Sequence, residues 1–183
     1  AGLAAALERD DKVMLMGEDI GQLGGVFRVT DGLHARFGSQ RVVDTPLAES
    51  GIIGTAIGLA MAGYRPVCEI QFDGFVFPGF DQITSQLAKI RYRSAGRIAL
   101  PLVIRIPFGG GIGSIEHHSE SPEALFAHTP GLMDRQGFLD TKPVKVGEVE
   151  VSPRLVFLKL MENTVMNPEY PGGFQPEGRA VED

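Results

Sequence analysis

The amino-acid sequence predicts an α/β fold, a mostly parallel sheet flanked by helices, and three observations support this prediction. Short apolar runs alternate with segments of helical periodicity up to about residue 132, which is typical of βαβ units. One periodic segment places Ile83, Leu87 and Ile90 on a single stripe, as expected for a helix that covers a sheet. With 183 residues, of which 43% are hydrophobic, the chain is long enough to bury a substantial core.

The predicted elements follow one another as strands and helices in alternation. We expect strands at Val13–Gly17, Arg41–Val43, Pro66–Phe72 and Leu102–Ile106, and helices at about Thr30–Phe37, Ser50–Ala62, Phe77–Ser94 and Pro122–His128. After Leu132 the prolines and charges predict little regular structure, apart from a buried strand or helical turn at Leu155–Met161. The sequence therefore predicts one domain at residues 1–132 and a partly irregular tail at residues 133–183.

Composition excludes several classes of function. The net charge of −6 creates no basic field, so we expect neither nucleic acid nor a membrane surface as a partner. The longest apolar stretch, Ile52–Gly63, is shorter than the roughly 20 residues that a membrane-spanning helix needs. The single cysteine, Cys68, and four scattered histidines predict no internal disulfide and no zinc cluster, as in a reducing compartment. Because the chain starts without methionine inside a helical pattern, we expect that Ala1 is a fragment boundary.

The segment that follows the second predicted strand contains an isolated carboxylate, Glu49, at the start of an apolar helix. We expect this carboxylate to be partly desolvated and therefore able to hold a proton near neutrality. Gly54, Gly58 and Ala62 recur every four residues and predict a helix face that another backbone can approach closely. The alternative is a structural glutamate that only interacts favourably with the helix macrodipole.

Four segments occur together in the order found in a known family: Met16–Gly21, Asp44–Gly58, Glu69–Gln82 and His117–His128. Together they resemble the β subunit of the thiamine-diphosphate-dependent decarboxylase of 2-oxo acid dehydrogenase complexes. The branched-chain type is most similar and the pyruvate type is next. The glutamate and glycine spacing also resembles the motif of the pyrimidine-binding, transketolase-like domain of thiamine-diphosphate enzymes, although Thr55 replaces the usual apolar residue. The resemblance covers roughly residues 1–132.

The resemblance implies catalytic roles for three residues. Glu49 is expected to hydrogen-bond the cofactor's aminopyrimidine and to promote loss of the thiazolium proton. His118 is expected to supply a proton when the acyl group passes to a lipoyl arm. Glu18 matches a second acidic position, which joins a chain of carboxylates that links two active sites. For Glu18 and His118 a structural role is the alternative, with Glu18 capping a turn.

Phe75 and Phe77 are candidate cofactor-binding residues. Because they are two positions apart, they project to the same side if the stretch is extended, where an aromatic ring could flank the pyrimidine and line an acyl pocket. A role in the structural core is the alternative. Phe75 stands where the branched-chain enzyme tends to have tyrosine. The run Gly109–Gly113 lacks the pattern of a phosphate-binding loop, and we expect a flexible loop beside the site.

The sequence also predicts partners. No Gly-Asp-Gly motif with a distant Asn is present, so the resemblance implies that the cofactor's diphosphate and its Mg²⁺ bind on an α subunit. We expect an α2β2 heterotetramer that acts on a 2-oxo acid together with a lipoyl acyltransferase, in bacterial cytoplasm or the mitochondrial matrix of a eukaryote. The resemblance implies a further C-terminal domain in the family, and we expect that this chain lacks it. The alternatives are a pyruvate or acetoin dehydrogenase β subunit, a split transketolase, and a non-catalytic truncated interaction module.

Overall fold

A parallel sheet forms the centre of the computed structural model, which describes residues 2–108, 114, 116–132, 145–146, 149–150 and 154–159, the last three ranges as backbone only. The sheet has five strands in the order β2-β1-β3-β4-β7. These strands are β1 (Val13–Gly17), β2 (Val42–Asp44), β3 (Arg65–Glu69), β4 (Val103–Phe108) and β7 (Arg154–Lys159), and every pairing is parallel. Strands β5 (Lys145–Val146) and β6 (Val149–Glu150) form a separate antiparallel pair. The predicted α/β class with a mostly parallel sheet is confirmed.

Helical segments connect the strands. They are α1 (Gly2–Arg9), α2 (Leu33–Phe37), α3 (Glu49–Met61), a 3₁₀ helix (Asp73–Gly79), a π-helix (Gln82–Leu87), α4 (Ala88–Arg93) and α5 (Glu123–Ala127). The strand predicted at Pro66–Phe72 ends earlier, at Glu69, because the chain turns into the 3₁₀ helix at Asp73. The helix predicted to begin at Phe77 therefore begins inside a longer helical segment.

Alternating side chains of β1 place helices on both faces of the sheet. Leu15 packs in one cluster with Leu7 of α1 and Leu33 of α2. Met16, the next residue, packs in the other cluster with Ile53 of α3. Because successive strand residues point to opposite faces, each face receives its own apolar layer, and each fully buried leucine or isoleucine contributes about 1.5–3 kcal/mol. These two layers hold the strand ends in place.

Helix α3 has a well-defined start and end. Glu49 is its first residue, and a carboxylate in the first turn interacts favourably with the helix macrodipole. At the other end Gly63 has a φ of 89°, donates its N–H to Ala60 O and is followed by a Tyr64 N–H bond to Leu59 O. This is the Schellman arrangement, which glycine favours because it has no Cβ. The position of Glu49 is therefore set by a helix that is capped at its far end.

The small-residue face predicted on α3 divides into two parts. A Cβ on Gly54 would lie 3.6 Å from Gln82 Oε1, so Gly54 packs against the π-helix of the same chain. Gly58 and Ala62 are exposed, and a Cβ on Gly58 would meet nothing within 4 Å. Only the Gly54 end of this face is covered by the part of the chain that the structure describes.

Several predictions concern the later part of the chain. Strand β7 lies where the sequence predicted a strand or helical turn at Leu155–Met161, and it pairs with β4 in the register Ile104↔Leu155. The predicted loop Gly109–Gly113 and most of the tail that was predicted to be irregular lie outside the described residues, whereas β5 and β6 fall inside that tail. The domain boundary at residue 132 stays a prediction. Within the described residues no helix is both long and apolar enough to cross a membrane.

Candidate functional site

The candidate site lies at the carboxyl edge of the sheet, where all parallel strands end on the same side. Strand β2 lies on one side of β1 and β3 lies on the other, so the chain changes its direction of strand addition at this point. In α/β proteins such a switch point opens the crevice in which ligands bind. Glu18 directly follows β1, and the segments that follow β2, β3 and β4 contain Glu49, Phe75 and His118. The fold thus brings four of the predicted site residues to one edge.

Glu18 is a buried carboxyl group, with a relative exposure of 6%. Its Oε1 atom has no hydrogen-bond partner among the described residues. Burial is the main cause that raises the pKa of Glu18 to about 7, and the negative charges of Glu49 and then Asp19 add to it. A carboxyl group with this pKa exchanges its proton near neutral pH, as a proton-transfer residue requires.

The loop after Glu18 is held by backbone and side-chain bonds. Asp19 has a φ of 56°, and its carbonyl oxygen accepts the Gly25 N–H at 2.8 Å. The Gly21 N–H donates to Asp44 Oδ1 at 2.5 Å, which ties the loop to the end of β2. These bonds stabilise the backbone that follows Glu18 and connect it to the end of β2.

Glu49 approaches the same place from a different element. It is half-buried as the first residue of α3. It lies close enough to Glu18 for its charge to raise the pKa of that residue. The negative charge of Glu49 therefore adds to burial in favouring the protonated form of Glu18. The arrangement suits the transfer of a proton to and from a bound ligand.

His118 lies in a ring of aromatic contacts on the β4 side of the site. Its Nδ1 is 2.9 Å from Glu116 O. Because a carbonyl oxygen only accepts hydrogen bonds, we assign the hydrogen to Nδ1, which leaves Nε2 free to accept a proton. The imidazole centroid is 4.5 Å from that of Phe72 and 5.3 Å from that of Phe75, with both rings in edge contact. His118 is therefore oriented for proton transfer through one nitrogen.

The structure corrects the prediction that Phe75 and Phe77 project to the same side of an extended stretch. Both belong to the 3₁₀ helix, in which about three residues complete a turn, so positions two apart point in different directions. Phe75 contacts His118 and stacks on His117 with centroids 5.9 Å apart. Phe77 is 45% exposed and lies 6.5 Å from the ring of Phe80. Phe75 thus joins the candidate site near His118, whereas Phe77 packs beside Phe80.

Sequence reasoning missed a buried ion pair beneath the site. Glu69 and Arg105 occupy paired positions of β3 and β4, are each 8% exposed, and form a salt bridge. Burial raises the pKa of Glu69, and the Arg105 guanidinium opposes this effect. A Cβ on Gly25 would lie 3.8 Å from Glu69 Oε1, so the pair lies under the loop that follows Glu18. The sequence contained one indication of this pair, because each of the two apolar strand segments includes a single charged residue. Charged residues are rarely buried without a partner.

Phe72 is a second residue that the sequence analysis did not single out. It is 5% exposed, and its ring contacts those of Phe27, Phe75 and His118 at centroid distances of 5.7, 6.2 and 4.5 Å. Its position at the end of a predicted strand did not indicate that it contacts His118. Phe72 is the centre of the aromatic cluster around His118.

Two other features lie apart from this edge. A groove of 1110 Å³ is lined mainly by α4 and its surroundings, among them Leu87, Tyr92, Leu100, Pro130 and Gly131, and it includes none of the predicted site residues. Among the described residues, no group of three or more His, Cys, Asp or Glu side chains is arranged to hold a metal ion.

Comparisons with known proteins identify a family that matches most of the chain. The model of the transketolase pyrimidine-binding domain family matches residues 1–168. The chain is 70% identical over 132 residues to pyruvate dehydrogenase E1 component subunit beta of Leifsonia xyli subsp. xyli, covering 72% of this chain and 39% of the relative. It is 47% identical over 162 residues to the protein of the same name from Staphylococcus epidermidis, covering 87% and 50%.

A third relative has a different name. The chain is 56% identical over 127 residues to 3-methyl-2-oxobutanoate dehydrogenase subunit beta of Mycobacterium tuberculosis, covering 69% of this chain and 36% of the relative. The chain therefore spans at most 50% of the length of these three relatives. Among solved structures, a split gene transketolase described as an inactive beta4 tetramer matches with a TM-score of 0.56 and 18% identity, covering 86% of this chain and 48% of that chain. This last similarity concerns the fold alone.

Proposed function

Because the chain belongs to the transketolase pyrimidine-binding domain family, we propose that it forms the pyrimidine-binding part of a 2-oxo acid dehydrogenase β subunit. In this function it activates thiamine diphosphate for oxidative decarboxylation of a 2-oxo acid and for acyl transfer to a lipoyl group. The observation that carries the proposal is the electrostatic coupling of Glu18 to Glu49 at the switch point of the sheet. Either carboxyl group alone could have a purely structural role. Two electrostatically coupled carboxyl groups in a ligand-binding crevice favour a catalytic role.

The residues at this edge fit the pyrimidine half of thiamine diphosphate. The buried Oε1 atom of Glu18 has no hydrogen-bond partner among the described residues, so it is available to bind a polar group of a ligand. The Glu49 carboxyl group would hydrogen-bond a ring nitrogen of the aminopyrimidine, and the half-buried ring of Phe75 would lie beside the pyrimidine. Phe77 remains a second candidate for the cofactor pocket. When bound, the cofactor supplies the electron sink that loss of carbon dioxide requires.

The chain's own residues then move protons. The Glu49 carboxyl group would exchange a proton with the pyrimidine ring nitrogen of a bound cofactor, and its negative charge adds to the burial that raises the pKa of Glu18 to about 7. His118 would first take up a proton at Nε2 from solvent and then donate it during acyl transfer, while its Nδ1–H remains bonded to Glu116 O. The aromatic rings of Phe72 and Phe75 contact the imidazole and restrict its orientation.

The remaining parts of the site come from partners. We assign the diphosphate and Mg²⁺ to an α subunit, because this sequence contains no Gly-Asp-Gly motif. The names of the relatives, which specify a subunit beta, support a complex with a second kind of subunit. We propose an α2β2 heterotetramer in bacterial cytoplasm that passes its acyl group to a lipoyl acyltransferase.

Two substrate classes are supported by the relatives. Branched-chain 2-oxo acids are the class expected from the sequence motifs, and the relative with 56% identity bears the corresponding name. Pyruvate is the second class, and it is supported by the relative with 70% identity over 132 residues. Both are aliphatic 2-oxo acids, so the chemistry of Glu49 and His118 is the same for both.

The test is purification of the native complex through a tag on this chain, followed by decarboxylation assays with an artificial electron acceptor. We expect a second kind of subunit to co-purify and either 3-methyl-2-oxobutanoate or pyruvate to be the preferred substrate over acetoin. A preference for acetoin would overturn the proposed substrate class. Absence of any thiamine-diphosphate-dependent turnover, with the second subunit present, would favour the non-catalytic interaction module instead.

A further inference from the structure

We propose that the segment Phe72–Phe80 is a spacer that sets the position of His118 relative to Glu49, with Gly74 and Gly79 as positioning residues. This inference rests on the proposed function, since it concerns two catalytic residues of that site. The segment consists of Phe72, the 3₁₀ helix Asp73–Gly79 and Phe80. One end of it contacts the backbone beside His118, and the other end contacts the backbone of Glu49.

At the first end, Gly74 lies directly against the backbone that precedes His118. The Gly74 N–H donates to His117 O at 3.1 Å and also to Asp73 Oδ1 at 2.9 Å. A Cβ on Gly74 would lie 2.6 Å from His117 O and 2.9 Å from His117 C, and would also overlap His117 Cα. These separations are too short for any side chain, so the two backbones approach this closely only because residue 74 is glycine.

The same end of the spacer holds the imidazole from its sides. Phe72 and Phe75 bracket the His118 ring at interplanar angles of 61° and 89°. Because rings of this kind have preferred edge-to-face contacts, they restrict the rotation of the imidazole as well as its position. The backbone contact at Gly74 and the two ring contacts therefore determine where His118 lies.

At the second end, Gly79 lies against the first turn of α3. A Cβ on Gly79 would lie 3.3 Å from Glu49 O and 3.2 Å from Ile53 Cγ1. Both separations are shorter than ordinary van der Waals contact, so a larger residue would push against the helix start that places Glu49. The contact is milder than that at Gly74, because its separations are longer and Ile53 Cγ1 belongs to a side chain that can move.

Between the two glycines the spacer is anchored in the core. Val76 is 0% exposed and belongs to the same apolar cluster as Ile53. Phe80 packs with its ring centroid 5.4 Å from that of Phe126 in α5. Gly74 and Gly79 are five positions apart in the 3₁₀ helix, which corresponds to roughly 10 Å at about 2 Å per residue. A packed helical segment of this kind transmits a displacement at one end to its contacts and does not absorb it.

The test uses the complete complex with Gly74→Ala and Gly79→Ala introduced separately. Exchange of the thiazolium proton with deuterium reports the Glu49 step, and acyl transfer to the lipoyl domain reports the His118 step. We expect Gly74→Ala to slow acyl transfer at least tenfold more than proton exchange, because its clash is at His117. Gly79→Ala should have the opposite preference, with a smaller effect. The matched control is Gly2→Ala, where a Cβ meets nothing within 4 Å.

The outcomes separate this inference from the proposed function. If the wild-type complex shows no proton exchange, the proposed function is wrong. If the wild type is active and each variant slows the two steps by equal factors, the inference that this segment positions His118 relative to Glu49 is wrong. If Gly74→Ala prevents assembly, Phe72→Leu replaces it in the comparison with Gly79→Ala. Phe72→Leu removes only a ring contact with His118, and we expect it to slow acyl transfer selectively. A crystal structure of Gly74→Ala or Phe72→Leu in which His118 keeps its wild-type position would also overturn the inference.

Discussion

Glu18 and Glu49 are electrostatically coupled, although one follows strand β1 and the other begins helix α3. After burial of Glu18 itself, the charge of Glu49 is the largest cause of the rise in the pKa of Glu18 to about 7. Burial and the charge of Glu49 therefore both favour the protonated form of Glu18 near neutral pH. Substitution of either residue therefore tests the proposed function of the pair.

Replacing Glu49 with glutamine should slow activation of the cofactor without preventing assembly. Glutamine has nearly the same size and can still hydrogen-bond the pyrimidine, but it has no acidic proton. We expect exchange of the thiazolium proton with deuterium, measured by acid quench and NMR in the complete complex, to slow by roughly 10²-fold or more. The control is Glu8→Gln on α1, away from the site. An unchanged exchange rate in Glu49→Gln would show that this residue is not the activating acid.

Glu18→Gln should change how stability depends on pH. In the folded protein the pKa of Glu18 is about 7, above the ordinary value of 4.5, so between these values the folded state binds the proton and the unfolded state does not. Stability therefore falls as pH rises from about 4.5 to about 7. The variant lacks this contribution and should gain on the order of 1–3 kcal/mol at pH 8 relative to wild type. Thermal unfolding midpoints across this range measure the effect, and parallel profiles would contradict it.

Arg105→Met should destabilise the protein by about 3–5 kcal/mol, because it leaves the buried Glu69 carboxylate without its cation. Burial already raises the pKa of Glu69, and loss of the opposing charge raises it further. The folded variant then binds a proton that the unfolded chain releases, so its loss of stability should grow as pH rises. The double variant Glu69→Gln, Arg105→Met is the control, since it removes both charges and should recover most of the stability. No recovery in unfolding experiments would argue against the ion pair as the cause.

His118→Ala should affect one step of catalysis more than the other. A general acid typically contributes on the order of 10²–10⁴-fold to the step in which it moves a proton. We therefore expect acyl transfer to the lipoyl domain to slow by this order, while decarboxylation with an artificial electron acceptor stays largely intact. His34→Ala, on the short helix α2, is the matched control. Equal losses in both assays would refute the assignment of His118 to acyl transfer.

Much of the fold was predictable because buried parallel strands are recognisable in a sequence. The runs around Leu15, Cys68 and Ile104 are apolar on both faces, and each lies in the core of the sheet. Helix α3 was equally clear, since its apolar residues continue for more than three turns. The 3₁₀ helix was not, because the alternation of Phe75 and Phe77 has the period of a strand. Packing against α3 and His117, which no local pattern reports, decides its conformation.

The predicted site residues were available from motifs, but their relations were not. Glu18, Glu49 and His118 stand in segments whose order along the chain resembles one family, so each could be named without a structure. The ion pair of Glu69 and Arg105 could have been suspected from charges inside apolar runs, yet the pairing depends on the register of β3 and β4. Strand register follows from non-local contacts, and a single sequence does not contain it explicitly.

The sequence alone was sufficient for the class of fold, the family resemblance and the chemical nature of the groups at the site. These properties depend on residue types and on spacing within one element, where the period of a helix or strand is known in advance. Only the tertiary structure decided which groups influence each other: Glu49 with Glu18, Phe72 with His118, and Gly74 with His117. The physical reason is that burial, charge coupling and backbone clashes depend on distances between residues far apart in the chain, which the packing of the whole sheet and its helices determines.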